Sequence, residues 1–460
     1  MTAAQASTTF RDPDGSLTLE GDFALRSIHP CARRSVLEFI ASPFYQRMQK
    51  RGDIVAATVD DSPASLRLIH PRIPVPSYPW EWTPSQWLAA AELTLDLCEE
   101  GLAEGWILKD ATPLNILFVG PRPVLVDVLS FERHDPTFTI WIAYAQYART
   151  FLVPLIMYRL LRWPLSLSLF QRDGYVPADI YPMLNWRQRL SRAAFWSITV
   201  PAWLQAFKRP NTHASKASAH SSDSEFVLSV LQNRLHALRR RTRRAASVAL
   251  SSSSWLEYAE SRAHYTPDQA AQKREWVTQI MQDFHPATVL DVGANAGEFS
   301  AIAAVAGAQV VALERDAAAA EQLFRLSRDR RLSIQTIQAD LARPTPAAGW
   351  EHAETAALLP RLEDRFDLVL MLAVIHHLLL LEQVPLSRIV ALCSRLTRRY
   401  LAIEWVPVHD PMFQEMMRGR DDLYGLITEQ DLLQACDGSF RLLRQRALDN
   451  GRTLFLFEKR

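Results

Sequence analysis

Thr288-Val-Leu-Asp-Val-Gly-Ala-Asn-Ala-Gly-Glu-Phe299 is the stretch whose reading decides the fold. An apolar run of strand character ends near a carboxylate, Asp291, and a turn holding Gly293 and Gly297 leads directly into a helix start. Glycine at these two positions permits backbone conformations other residues reach only at a cost, and lets the chain approach a ligand closely. Ala294 and Asn295 fill the turn between them. The chain has 460 residues and only 15 glycines, so two within one five-residue turn stand out.

Downstream, strands and helices alternate. Val310-Val-Ala-Leu-Glu314 reads as the second strand, and its acid comes 17 residues after Gly297. An acid there can accept hydrogen bonds from both hydroxyls of a ribose. The third strand ends in Ala339-Asp340-Leu341, a carboxylate suited to an exocyclic adenine amine beside an apolar side chain suited to the ring. The fourth, Phe366 to Leu372, delivers Ala373 to His377 to the mouth of the same crevice. The pattern predicts a doubly wound, Rossmann-like α/β sheet in the C-terminal half. Asn295 stands where a dinucleotide-binding GxGxxG has its middle glycine, which argues against a dehydrogenase. Two plainer readings stay open: Asp291 as a helix cap, and Glu314 as a surface acid paired with Arg315.

These segments, taken in order over residues 255–460, resemble the successive motifs of class I S-adenosylmethionine-dependent methyltransferases. The resemblance implies S-adenosylmethionine as cofactor and no metal. It sets the loop around Gly293, Ala294, Asn295 and Gly297 beside the methionyl part, with Asp291 at the strand end, Glu314 on the ribose, Asp340 and Leu341 on the adenine, and Ala373 at the mouth. Methyl transfer is an in-line displacement, so the remaining tasks are alignment, exclusion of water and removal of a proton from the acceptor. Candidates for that base are His376, His377, Glu404 and His409; the His376-His377 pair can equally be a core feature. The acceptor is expected to be a small molecule or a carrier-linked intermediate. No Asn-Pro-Pro-Tyr type motif and no suitably placed cysteine is present, which removes adenine or glutamine N-methylation and pyrimidine C5 attack. Ahead of the sheet, Trp255, Tyr258, His264, Tyr265 and Lys273 resemble the cap segment of bacterial methyltransferases, where Tyr265 would cover the cofactor or pack on the sheet.

In the first half, Lys109-Asp110-Ala-Thr-Pro-Leu-Asn115 followed by Val124-Leu-Val-Asp127 has a spacing similar to that of the protein-kinase and aminoglycoside-phosphotransferase superfamily. The resemblance implies that Asp110 orients an acceptor hydroxyl while Asn115 and Asp127 hold magnesium. It covers about twenty residues, without a glycine-rich loop or a clear V-A-I-K lysine, so residues 1–207 read as an α+β, mostly helical domain with a degenerate kinase-like module. With Ser77-Tyr-Pro-Trp-Glu-Trp82, this half also resembles the extension ahead of nodulation-associated and natural-product methyltransferase domains in bacteria. The alternative function is a phosphotransferase or ATP-binding regulator.

Charge and composition set outer bounds. The 51 basic and 50 acidic side chains leave a net charge of +1, which argues against bulk nucleic-acid binding, and 48% hydrophobic residues describe a folded protein. Cys31, Cys98, Cys393 and Cys436 show no metal or disulfide spacing, and the polar first residues lack a secretory apolar segment, so a reduced, cytoplasmic protein is expected. Phe138 to Met157 is interrupted by Gln146, Arg149 and Pro154 and reads as a buried helix rather than a membrane span. Residues 208–254 read as a serine-rich connector. Within it, Glu225 to Arg244 forms an amphipathic helix ending in Arg239, Arg240, Arg241, Arg243 and Arg244: a solvated terminus or a contact for an acidic partner.

Overall fold

The structure, a computed structural model, describes residues 11–62, 65–207, 220–247, 267–417 and 426–460. Trp255, Tyr258, His264, Tyr265 and the Ser251 to Ser254 run lie outside the described residues. The chain divides into two units, Met1–Ala249 with Ala348–Thr355, and Leu250–Ala347 with Ala356–Arg460.

The N-terminal unit opens with an antiparallel sheet of order β1-β2-β4-β3, formed by β1 (Gly15–Glu20), β2 (Phe23–Ile28), β3 (Thr58–Asp61) and β4 (Leu66–Pro71). Gly21, at φ +57°, makes the two-residue turn between β1 and β2. The helix Pro84–Leu102 starts in a capping box, in which Thr83 Oγ1 accepts from Gln86 N and Gln86 Oε1 accepts from Thr83 N. Short strands follow: β5 (Trp106–Leu108), β6 (Ile116–Val119), β7 (Arg122–Leu125) and β8 (Phe131–Arg133). Phe39, Phe131 and Trp106 form an aromatic centre, with Phe39 stacked on Phe131 at 4.6 Å and edge-on to Trp106 at 5.0 Å. The apolar stretch read as a buried helix is helical from Tyr144 through Leu161, and it widens into a π-turn at Ala148–Leu152 just before Pro154, whose ring cannot donate to the ladder.

The basic amphipathic helix spans Ser224–Ala246 and is integral to this unit. Val227, Leu231, Leu235 and Leu238 are fully buried on the face that meets the Pro84–Leu102 helix. Its acidic partner is that same helix: Arg239 pairs with Asp96 and Glu99, and Arg243 with Glu92. Exposed pairs of this kind contribute little individually, so the apolar face supplies most of the stabilisation.

The C-terminal unit is built on a seven-stranded sheet of order β11-β10-β9-β12-β13-β15-β14. Its strands are β9 (Thr288–Val292), β10 (Gln309–Glu314), β11 (Ile334–Gln338), β12 (Phe366–Met371), β13 (Thr397–Trp405), β14 (Phe440–Ala447) and β15 (Thr453–Lys459). β9 to β13 pair in parallel, and β15 runs antiparallel between β13 and β14. The central strands β9, β10 and β12 are near-continuous apolar runs because helices cover both faces; Trp276, Val277 and Ile280 of the helix Pro267–Phe284 share one core cluster with Val289, Leu368 and Leu454. Chain order reverses between β9 and β12, which opens a crevice at the carboxyl ends of the strands. This is the doubly wound sheet expected from the alternation of the sequence.

Among the described residues no helix is long and apolar enough to cross a membrane, and no group of three or more His, Cys, Asp and Glu side chains could hold a metal. All four cysteines are free; Cys31 is exposed and the other three are buried. Replacing Leu235 by Ala should lower stability by about 2–4 kcal/mol, the range for truncating a buried leucine, whereas a solvated connector helix would show almost no change in urea unfolding.

Candidate functional site

A cleft of about 1120 Å³ opens at the carboxyl ends of β9 to β12. Asp291, Gly293, Ala294, Asn295, Glu314, Asp340, Leu341, Ala373 and His377 line it, together with Lys273 and Phe299. Gly297, His376 and Glu404 do not figure among the described residues that line it.

The turn after β9 is fastened to β10. The N–H groups of Gly293 and Ala294 both donate to the carbonyl of Leu313, at 2.9 and 3.0 Å. Asn295 N donates to Glu314 Oε2 at 2.7 Å, and Asp316 N donates to Oε1 at 2.7 Å, so the glutamate at the end of β10 is clamped on both oxygens. Gly293 and Gly297 have φ of +69° and +91°. A Cβ at Gly293 would lie 2.6 Å from Val374 Cγ2, and one at Gly297 would lie 2.4 Å from Leu323 Cδ1. The left-handed backbone therefore favours glycine at both positions, with Val374 and Leu323 crowding any Cβ, and Gly297 serves as the N-cap of the helix Glu298–Val305. Asn295 and Ala373 also have left-handed backbone, at φ +49° and +58°, and both line the cleft. Such conformations cost energy for residues with a Cβ and concentrate at functional sites.

Asp291 is buried and accepts from Ser300 Oγ at 2.6 Å. Burial raises its pKa from 3.8 to about 6; the Ser300 hydrogen bond opposes the rise, Glu314 adds to it and Lys273 lowers it. Burial also pushes Glu314 up, against the amides of Asp316 and Asn295. Asp340 sits at the rim, accepting from Ala342 N at 2.9 Å and from Arg343 Nη1 at 3.3 Å. Glu382 shares Arg343 and Arg315 with it.

The two histidines differ in placement. Their ring centroids are 4.2 Å apart, yet only His377 reaches the cleft. His376 is buried, and neither ring nitrogen has a hydrogen-bond partner among the described residues. Burial holds His377 near a pKa of about 4 and His376 well below its ordinary value, so both rings are neutral at pH 7. Glu404 lies behind the wall in a buried ionic chain: Lys273 Nζ donates to Oε2 at 2.5 Å, Arg452 Nη1 approaches Oε1 at 3.4 Å, and Arg452 Nε donates to Asp410 Oδ2 at 2.8 Å. His409 is exposed. The sequence marks Lys273 only as part of the segment ahead of the sheet and does not mark Arg452; their pairing with Glu404, 131 residues after one and 48 before the other, has no local signal.

In the N-terminal unit, Asp127 is engaged on both oxygens, by Arg26 Nη1 at 2.8 Å and by Ser130 Oγ at 2.6 Å. Asn115 Nδ2 donates to Ser130 Oγ at 2.8 Å, and Lys109 pairs with Asp14. Burial raises Asp110, with nearby Asp127 adding to the rise.

No protein-family model matches the chain. It is 27% identical over 470 residues to the nodulation protein NoeA of Rhizobium meliloti (strain 1021), covering 98% of this chain and 95% of that one. The chain is a homologue of that protein. Among solved structures it is similar to the N-methyltransferase NodS from Bradyrhizobium japonicum WM9, at 11% identity and a TM-score of 0.31 over 42% of this chain and 97% of that one. It is also similar to the magnesium protoporphyrin IX methyltransferase ChlM from Synechocystis PCC 6803 with bound SAH, at 16% identity and a TM-score of 0.30 over 42% of this chain and 84% of that one. The bifunctional kinase-methyltransferase WbdD aligns at 21% identity and a TM-score of 0.31 over 44% of this chain and 41% of that one.

Two outcomes follow from the buried charges. A carboxyl whose pKa in the folded chain lies above its ordinary 3.8 adds stability below that pH and gives it up as pH rises through 6. Asp291→Asn, which keeps an acceptor for Ser300, should therefore stabilise the protein by about 1–3 kcal/mol in urea unfolding at pH 7.5, with the gain vanishing near pH 4. Glu404→Ala should cost about 3–5 kcal/mol at pH 7.5, because it leaves Lys273 and Arg452 buried without their shared anion.

Proposed function

We propose that the C-terminal unit is an S-adenosylmethionine-dependent methyltransferase acting on a small-molecule or carrier-linked acceptor. The observation that carries this reading is the row of carboxylates at successive strand ends, Asp291, Glu314 and Asp340, along one wall of the crevice at the switch point. Acidic groups there suit a ligand that carries a cationic centre, a ribose and an exocyclic amine. Asn295 adds a side-chain oxygen that is buried and without a partner among the described residues, a polar atom the turn itself does not use. The volume exceeds the usual 300–1,000 Å³ or so of a single-ligand pocket, which leaves room for an acceptor beside the cofactor.

In this reading Glu314 holds the ribose, Asp340 and Leu341 hold the adenine, and the turn Gly293-Ala294-Asn295 with Ala373 borders the methionyl end, where Asp291 supplies negative charge. Gly297 shapes the turn from beneath. The bound cofactor supplies an electrophilic methyl group on a sulfonium. The chain's part is to orient the acceptor, exclude water with Leu341, Leu372 and Leu378, and take the acceptor's proton. His377 is our candidate for the last task because, of the two rings, only it lines the cleft; burial lowers its pKa to about 4, which keeps the ring neutral but makes it a weak base. His376 supports that ring from behind, and Glu404 acts by holding Lys273 at the cleft wall.

The phosphotransferase reading draws on Asp110, Asn115 and Asp127 being neighbours in the N-terminal unit. Arg26 and Ser130 already occupy the carboxylate that would hold magnesium, so the geometry favours a salt-bridged structural cluster.

Calorimetry should register S-adenosylhomocysteine binding to the wild type and a loss of about 2 kcal/mol in Glu314→Ala, the scale of hydrogen bonds to a charged group. A wild-type chain that binds none would overturn the methyltransferase reading.

A further inference from the structure

We propose that the surface formed by residues 181–207 of the N-terminal unit docks on an anionic phospholipid bilayer. Among the described residues, large apolar side chains are exposed at 19 positions, and seven of these fall between Met183 and Phe207. Trp186, Trp196, Leu204 and Phe207 are 66%, 59%, 63% and 82% exposed. Soluble proteins scatter such residues singly, and a concentration of them marks an interaction surface.

Part of the patch is one aromatic cluster. Trp203 lies 6.5 Å from Tyr181 and 6.3 Å from Phe195, and Phe195 meets Trp196 edge-on at 5.2 Å. Trp203 Nε1 donates to Tyr181 Oη at 3.0 Å, while the guanidinium of Arg189 sits 4.2 Å over the Tyr181 ring. These contacts link Tyr181, Arg189, Phe195, Trp196 and Trp203 on this face.

Charge identifies the partner. From Tyr181 to Phe207 the sequence holds Arg187, Arg189 and Arg192 and no acidic residue; Arg187 and Arg192 are exposed, and Arg187 lies over the Trp186 ring. Residues 208–219 continue the sequence with Lys208, Arg209 and Lys216 and no large apolar residue. Indole rings, bulky apolar groups and cations with no ion pair among the described residues are the set that settles at the headgroup level of an anionic leaflet. Each cation held at such a surface strengthens partitioning by about fivefold. A nucleic acid would call for cations without so large an apolar area, and a protein partner for paired charges at the rim.

The test is co-sedimentation of the full chain with vesicles of phosphatidylglycerol and phosphatidylcholine, compared with vesicles of phosphatidylcholine alone. The wild type should partition onto the mixed vesicles and about tenfold or more weakly onto the neutral ones. The double variant Trp196→Glu, Leu204→Glu should lose this binding with unchanged circular dichroism and thermal midpoint, since both side chains face solvent. Arg187→Gln with Arg192→Gln should lose the preference for the anionic lipid. Wild-type chain that stays in the supernatant, equal binding to both vesicle types, or undiminished binding by the tryptophan-leucine variant would overturn the proposal. So would a dimer in analytical ultracentrifugation that the same variant dissolves while vesicles bind nothing, which would assign the face to a second copy of the chain.

Discussion

The carbonyl of Leu313 accepts two hydrogen bonds from the turn that follows β9, and the geometry of the cleft depends on that shared acceptor. Taking both Gly293 N and Ala294 N to one oxygen curls the backbone into the left-handed region, where glycine has no rival at the first position. The curl brings Asn295 N to the next residue along β10, Glu314, whose second oxygen takes the amide of Asp316. Asp316 in turn caps the helix Ala317–Asp329 through Ala318 N and Ala319 N. One strand end thus fixes a turn, a carboxylate and a helix start as a single hydrogen-bonded assembly, and Val374 closes over it from β12's side of the crevice.

Charge is managed differently inside the cleft and behind it. Asp291 and Glu314 are both desolvated; the charge of Glu314 further disfavours ionisation of Asp291, which Ser300 and the nearby Lys273 oppose, while backbone amides offset the burial of Glu314. Behind the wall, Lys273, Glu404, Arg452 and Asp410 alternate in sign, which balances two cations with two anions where solvent cannot screen them. Such a chain does little for stability compared with an apolar core of equal volume, but removing one member is costly. Its contribution is to hold an ammonium at the floor of an acidic pocket. Because the members come from the helix Pro267–Phe284, from β13, from the turn after it and from the residue before β15, the outer antiparallel hairpin bears on the site without lining it.

The crevice was legible in the sequence because β9, β10 and β12 read as largely apolar runs, and the acids Asp291 and Glu314 stand at the ends of the first two. Asp291, Glu314 and Asp340 were visible as the first charges after such runs, and the structure brings them to one cleft. The side of the sheet that each residue faces was not visible in the same way. Glu404 follows an apolar run like the others, but on β13 it turns into the buried ionic chain. The two histidines are adjacent in sequence and fall on opposite sides of the cleft wall. In the N-terminal unit, β1 to β4 carry little signal because their alternation is short and half exposed, with β3 exposed throughout. The Ser224–Ala246 helix was legible as an element, yet its docking was not, since its acidic partners Glu92, Asp96 and Glu99 lie well over a hundred residues earlier.

The four thiols noted with the fold divide sharply by access. Burial pushes Cys98 and Cys436 up to about 12 and Cys393 up as well, which keeps them as unreactive thiols in the interior. Cys31 is exposed, in the loop between β2 and the first helix of the N-terminal unit, Arg33–Ile40. The native chain therefore offers one addressable sulfur, so a maleimide dye or spin label can be attached to the N-terminal unit of the unmodified sequence, with no engineered cysteine and no need to remove the other three.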